Sequence, residues 1–434
     1  MTYRYRATAG ALRWRLLIGT ATTAFLGACS LFDSLLDVEP QEAVTAASVE
    51  TPGQAALLVN SAVADFDCAF TNYAMAGGLV ADEVDWGDLN TFDYDRRTFT
   101  SQGGNFATSK CATGIGAGGL GVYTPLSTAR WSANNVHRLL TEWTDAQVPN
   151  RGVLLATTSA YSGYGHLLLG EAMCGAAIDA GPQLNRTQLW EQAVAKFTTA
   201  ISEAQAASNT AMLNMAYLGR ARARLQLGQK PEAVTDAQRI PDGFVQNSTF
   251  AGTSWRSSNQ AWQWIAATGG QIRAAIAQGY WNLSVDGVAD SRVRVTLFPG
   301  RFTQDGVTPQ AETTKYPLAS SPVAIAKWAE AQLIIAEVQG GQTAVGIVNE
   351  LHRRANLPTT FASTNAQTIL AQVLEEKRRE LFLESQRFGD MLRLSIPFTP
   401  AAGVAYKLNN GVYGSMTCFP FPDVERDNNP NAGG

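Results

Sequence analysis

Metal ligands are scarce in this sequence: 434 residues hold three histidines and five cysteines, with no Cys-x-x-Cys or His-x-x-x-His spacing to gather them round an ion. A basic excess is missing too. Lys and Arg number 33 against 37 Asp and Glu, a net charge of −4 with no block of like charge, which argues against a surface that tracks a phosphate backbone. No segment offers 18 uninterrupted apolar residues, so no stretch reads as a membrane-spanning helix. The glycine runs GGNF and GIGAGG between Gly103 and Gly119 lack the strand, helix and lysine of a phosphate loop, and there is no nucleophile elbow. What is present is a 45% hydrophobic chain, enough for one large or two ordinary domains around a real core.

At the N-terminus Arg4, Arg6, Arg13 and Arg15 precede a charge-free run over 16–28 that ends Leu26-Gly27-Ala28-Cys29. A basic region, a short apolar region and small residues before a cut are the parts of an export signal, and the run is too short to span a bilayer. Leu-Gly-Ala-Cys resembles a bacterial lipobox, in which Cys29 becomes the first mature residue and carries lipid. The alternative is an ordinary cleaved signal with an incidental cysteine. With Cys29 lipidated, Cys68, Cys111, Cys174 and Cys418 remain, and an even number in an exported chain favours disulfides. Three connectivities are open. Cys68 with Cys111 and Cys174 with Cys418 is preferred because the first two bracket one loop-rich segment; free buried thiols are the alternative.

Residues 30–45 read as a tether. Thr51-Pro52 reads as an N-cap with proline in the first turn, and Ala55, Leu58, Val59, Ala62 and Phe66 give the first helix its apolar face, ending near Asp67. Over 75–121 the periodicity fails while Gly, Asp, Asn, Thr and aromatics accumulate, a long irregular region of a kind that is uncommon without a function. Helices are expected over 126–140, 153–177, 190–204 and 213–227, the last closed by Gly228, with another opening at Pro231. Ala193, Phe197, Ala200, Ala216, Leu218, Gly219, Ala223, Gly228 and Ala233 follow the small-residue spacing of degenerate tetratricopeptide hairpins. A second irregular region over 247–306 holds a helix around 260–267 and short strands around 293–298. Helices return over 322–336 and 345–355, and a Gly-, Pro- and Asn-rich tail closes the chain.

The densest charge lies over 374–393, LEEKRRELFLESQRFGDMLR. Leu370, Leu374, Leu381, Ser385, Phe388 and Leu392 suit one core-facing helical stripe. Glu375 with Arg379 and Glu384 with Arg387 are pairs that a helix surface can close. Glycine is costly inside a helix, so Gly389 implies close packing.

Four segments together resemble one family. PVAIAKWAEAQLIIAE at 322–337, IVNELHRRA at 347–355, EEKRRELFLESQRFGD at 375–390 and FPFPDVERDNNP at 419–430 are similar in order and spacing to the C-terminal pattern of the SusD/RagB outer-membrane nutrient-uptake lipoproteins. The chain departs from that pattern at Lys327, where arginine is usual, and at Asn356, where glycine is usual. The resemblance implies a mainly α fold: a helical domain with tetratricopeptide-like hairpins, long loops and minor short β-strands. It implies a signal peptide over 1–28, a lipidated tether over 29–45 and one domain over 46–434. It also implies a surface-exposed lipoprotein of the bacterial outer membrane that captures oligosaccharides or peptides for a SusC-like TonB-dependent transporter, without catalysis, cofactor, metal or nucleic acid. The competing reading is a secreted hydrolase or a structural repeat scaffold.

For a hydrolase the best candidates are Asp82, Glu83, Asp85 and Asp88, but adjacent loop acids do not suggest two carboxylates held at defined separation with one pKa raised. They read better as a solvated loop with, at most, an incidental calcium contact. His137, His166 and His352 are scattered, and at least two are expected to be structural. For binding, aromatics in the two irregular regions offer flat faces for sugar rings or peptide side chains, with Asp85, Asn90 and Arg96 beside them for hydroxyls. In the family, ligand contacts lie on loops of the kind read here over 75–121 and 280–301. From Trp86, Phe92, Tyr94, Phe99, Trp255, Trp262, Trp264, Tyr280 and Trp281 the candidate ligand contacts are Trp86, Tyr94 and Trp281, together with Arg96. The helix over 374–393 is assigned an architectural role.

Overall fold

The computed structural model describes residues 46–88, 94–101, 104–111, 120–266, 272–408 and 410–432. Cys29, Asn90, Phe92 and most of the 103–119 glycine runs lie outside the described residues. Two units are distinguished, Met1–Val49 and Glu50–Gly434. In the first, only a short helix at Ala46–Val49 is described.

The second unit is mainly helical. Its first helices are α1 (Ala55–Val80), α2 (Tyr123–Glu142), α3 (Arg151–Ala172), α4 (Arg186–Ala206), α5 (Thr210–Gln226) and α6 (Lys230–Ala237). From α2 onward each packs on its predecessor, α2 across the long connection over 81–122, because each has an apolar stripe to bury. The α3–α5 stack turns on one aromatic ring. Phe197 is fully buried between Gly163 and Gly219, where a methyl on either glycine would overlap its ring. Here glycine is required for approach, not for backbone freedom. An Asn185–Gln188 capping box starts α4, and the Asn209 side chain caps α5, satisfying N–H groups that have no partner within the helix.

The first helix runs to Val80, well past the expected end at Asp67. Residues 67–80 are buried all round, so no polar face marks the helical period, and Gly77 and Gly78 are packing positions against Phe388 and Glu83. Thr51 makes no side-chain cap; a 3-10 turn at Pro52–Gln54 leads into α1. The helix expected to run to residue 177 stops at Ala172, and β2 (Gly175–Ala177) pairs with β3 (Gln183–Asn185).

Short antiparallel pairs join the loops to this scaffold: β1 (Val84–Trp86) with β5 (Ala274–Ile276), β4 (Val245–Ser248) with β10 (Val323–Lys327), β6 (Ser284–Val285) with β7 (Val288–Ala289), and β8 (Val295–Phe302) with β9 (Pro309–Thr313). Residues 323–327 were expected to be helical. Instead they form a bulged strand, and α7 (Trp328–Gln339) begins only at Trp328. The β4 ladder outweighs the local helical pattern. Lys327 then donates to the Glu380 carbonyl and to Glu384, a pairing with the signature segment. Helix α8 (Gly341–Arg354) ends before Asn356, whose φ of 56° is left-handed. Asparagine tolerates that conformation better than most residues and can stand there in place of glycine.

The segment over 374–393 is not one helix. Helix α9 (Ala366–Glu380) stops, Leu383 and Ser385 take positive φ values, and α10 (Gln386–Arg393) starts afresh. Ile369 and Val373 carry the buried face of α9, while Leu370 is exposed, so the expected stripe is displaced by one residue there. Glu375 pairs with Arg379 as expected. Glu384 does not pair with Arg387; it meets Lys315 and Lys327, because the break turns it away from α10. The charges bind this segment to its surroundings: Lys377 to Glu337 and Asp390, Arg393 to Glu337, Glu376 to Arg292 and His352.

Two disulfides fasten the long connections. Cys68 in α1 is bonded to Cys111, and Cys174 after α3 to Cys418. The second holds Phe419, fully buried against Phe99 and Phe106, against the end of α3.

Candidate functional site

The loops converge on a cleft of about 360 Å³, within the size range of small-ligand pockets. One wall is β1 and the residues before it. Side chains alternate along a strand, so Val84 and Trp86 enter the core while Asp85 lines the cleft. Asp82 is gripped by the Arg387 guanidinium, Nε to Oδ1 at 2.8 Å and Nη2 to Oδ2 at 2.5 Å. Glu83 is buried and accepts from the Leu383 N–H at 2.8 Å. Burial lifts its carboxyl to about 7, opposed by that hydrogen bond.

The second wall comes from residues 277–280. Tyr280 stacks on Phe382 with centroids 4.7 Å apart, and its hydroxyl lies 3.5 Å from Asp82 Oδ1. Above that ring, at 4.5 Å, sits the guanidinium of Arg378, which also donates to the Gly279 carbonyl. The third wall is Thr399, Pro400 and Tyr413. Buried Arg97 braces it, donating to the Pro400 carbonyl and lying 5.4 Å from the Tyr413 ring centroid.

Asp95 closes the floor. Trp86 N–H donates to it at 3.2 Å and the Tyr406 hydroxyl at 3.1 Å, with Lys407 Nζ 3.5 Å away. Burial raises its carboxyl to about 6, and Lys407 pulls the other way. Asp85 differs from the other acids. Burial raises it as well, with Lys407 opposing and Asp305 adding, yet its carboxylate has no hydrogen-bond or ion-pair partner among the described residues. A half-buried anion left unpaired is costly, and a ligand donor would relieve that cost. Tyr413 also lines the cleft, and among the described residues its hydroxyl makes no hydrogen bond.

The residues singled out in the sequence are distributed differently. Trp86 is 1% exposed, its ring 5.1 Å from that of Trp264. Tyr94 is 2% exposed, donates to the Leu120 carbonyl at 2.6 Å and packs edge-on to Phe419. Neither presents a face to a ligand: both are core residues that hold the cleft wall from behind. Arg96 donates to the Asn410 carbonyl at 2.8 Å and lies over Tyr406. Trp281 is half-buried and donates to the Ile276 carbonyl at 2.8 Å. None of the four lines the cleft.

Of the acids expected on a solvated loop, Asp82 is paired and Glu83 and Asp88 are buried, because β1 draws them between α1 and α10, and Asp85 alone of the four is half-buried without a partner among the described residues; Asp88 is 3% exposed, 3.5 Å from Arg273. Arg378 was missed because its charge density read as an architectural face, and Tyr413 because the tail carried no periodic signal. The histidines are structural. Burial pushes His166 down to about 4, and His137 and His352 pair with Glu203 and Glu376. A second hollow of about 260 Å³ surrounds Trp328, but Arg292, Lys327, Arg354 and Glu380 in its lining are all engaged in ion pairs.

Residues 278–430 match the family model for the SusD family. The fold is similar to that of a SusD superfamily protein from Bacteroides vulgatus, with a TM-score of 0.67 at 16% identity over 88% of this chain and 98% of that one. It is similar to a SusD superfamily protein from Bacteroides fragilis, with 0.65 at 14% identity over 88% and 99%. It is also similar to surface glycan-binding protein A from Bacteroides thetaiotaomicron, solved in complex with laminarihexaose, with 0.59 at 15% identity over 86% and 97%. No curated protein matches the chain. The chain is thus SusD-like: its fold is that of the superfamily, and the resemblance read from its C-terminal segments holds. Tyr280, Arg378 and Tyr413 lie within the matched residues, whereas Asp82, Asp85 and Asp95 lie before them.

Proposed function

We propose that this protein captures an oligosaccharide in the Asp85 cleft and delivers it to a SusC-like TonB-dependent transporter of the outer membrane. The observation that carries this reading is a cleft on a SusD-like fold lined by a guanidinium, the Tyr413 side chain and an unpaired carboxylate, groups that suit sugar hydroxyls. Laminarihexaose bound to the glycan-binding protein of the same fold supports it. Residues 1–28 serve as the export signal, Cys29 carries the lipid, residues 29–45 form the tether and residues 46–434 the binding domain. Of the four residues picked from sequence, Arg96 and Trp281 act as rim contacts, while Trp86 and Tyr94 act from behind. No catalysis is assigned, since Asp82 and Asp95 are committed to Arg387 and to Tyr406.

Calorimetric titration of residues 30–434 with a glycan panel and a peptide panel tests the binding. Saturable glycan binding that Tyr413→Phe weakens is expected; peptide binding alone, or hydrolytic turnover of a bound glycan, would overturn the reading. Pull-down of the full chain from detergent-solubilised outer membrane should recover a barrel transporter. Cys29→Ala should leave the membrane fraction, and lipid labelling that persists in it would refute the anchor.

A further inference from the structure

Resting on that assignment of the cleft, we infer that its ligand is an oligosaccharide carrying protonated amines, a glucosamine-containing glycan, with Asp85 as the counter-ion. The lining holds Asp82, Asp85 and Asp95 against one cation, Arg378. Asp82 is matched by Arg387, and Arg378 by Glu375. Asp95 accepts from a hydroxyl and a backbone N–H with Lys407 near it. Buried Arg97 behind the Tyr413 wall is drawn to Asp95, so the lining carboxylate left without a hydrogen bond or ion pair among the described residues is Asp85, and its charge is felt at Tyr413. Lys407 attracts Asp85 without pairing with it: its ammonium donates to the Trp86 carbonyl and is shared with Asp95 and Asp305.

A neutral glycan could offer Asp85 only hydroxyl donors. A sugar ammonium offers a charge-assisted bond in a half-buried site, where such bonds are strongest. A uronate or sulfated sugar would set a second anion against Asp85, which costs affinity outright. N-acetylation removes the ammonium charge but adds an acetamide, so the comparison of the two oligomers is paired with Asp85→Asn, which removes the facing charge at nearly constant shape. The pH dependence carries the same signature. Binding needs Asp85 ionised and the amine protonated, and burial, with a smaller push from Asp305, holds Asp85 above the usual carboxylate range while Lys407 opposes them. Affinity for the amine should therefore fall on both the acid and the alkaline side, whereas affinity for a neutral glycan should show no alkaline fall.

The test is titration of residues 30–434 with hexamers of glucosamine, N-acetylglucosamine and galacturonate, with laminarihexaose and with a lysine-bearing tripeptide, from about pH 5 to about pH 8. The glucosamine hexamer should bind about tenfold or more tightly than the N-acetylated one, the size of effect a charged hydrogen bond gives. Galacturonate should bind weakest, and Asp85→Asn should bring the three within about twofold. Equal binding of both glucosamine forms, indifference to Asp85→Asn or tighter binding of the peptide would overturn the inference. Should Asp85→Asn fail to fold, the bell-shaped pH profile of the unaltered chain decides the matter. Laminarihexaose binding without amine preference would sink this inference and leave the proposed function standing; no glycan binding at all would sink both.

Discussion

Replacing Arg387 with alanine should show how far the cleft depends on the charged C-terminal segment. The guanidinium holds Asp82 by two charge-assisted bonds, with side-chain exposures of 11% and 26%. Removing one partner of a buried pair costs about 3 to 5 kcal/mol because the other charge stays buried and alone. Asp82 is wet enough for water to screen part of that, so we expect about 2 kcal/mol. Arg387→Lys keeps the charge but not the planar fork and should cost about half as much. The loss should be larger at pH 8 than at pH 5. Arg387 also holds Glu83 down, so without it Asp82 and Glu83 repel each other when both are ionised, and a proton taken up at lower pH relieves the repulsion. Urea unfolding of both variants, with Asp82→Asn and the double variant completing a cycle, measures the coupling. A loss below about 0.5 kcal/mol, or one independent of pH, would refute the idea that this pair braces the site.

Glu83→Gln should alter the pH profile of stability. Glu83 is raised from 4.5 to about 7 in the folded chain, so its contribution is complete below pH 4.5 and lost as the pH climbs through 7, on the order of 3 kcal/mol in all. Thermal melts should therefore show the variant gaining on the wild type across that window, and parallel profiles would contradict the assignment. In the chain-entropy account, opening the Cys174–Cys418 bond, which spans 244 residues, should cost about 5.5 kcal/mol, against about 4 for Cys68–Cys111, which spans 43. Urea unfolding of the paired serine variants gives the order, and the reverse order would reject loop entropy as the main effect. Gly219→Ala drives a methyl into Phe197 and should cost about 1 to 3 kcal/mol, with Phe197→Leu restoring part of it. No recovery in the double variant would mean that the strain lies elsewhere.

Much of the helical scaffold was legible because its signals are local. The Phe197 and Gly219 spacing, the glycine after α5 and the four C-terminal segments all act within a few turns of chain, and the even set of cysteines bounded the pairings to three. Other elements could not be read this way. Residues 67–80 lost their period because every face of α1 is buried there, and 323–327 became a strand because β4, distant in the sequence, offered a ladder. The break in the charged segment at Leu383 and Ser385 likewise turns Glu384 to partners outside that segment, Lys315 and Lys327, which no local pattern marks.

The site was less legible than the scaffold. Its aromatic candidates were chosen by residue type, but exposure is set by neighbours: Trp86 and Asp85 are adjacent, and strand pairing with Ala274 and Ala275 sent the indole inward and the carboxylate into the cleft. By itself the sequence determined the helical class, the C-terminal family pattern and the residues available for chemistry, since periodicity, caps and composition are properties of short stretches. Only the tertiary structure decided which acid would remain unpaired. That depends on where Arg387, Tyr406 and Lys407, some three hundred residues further along the chain, place their donors.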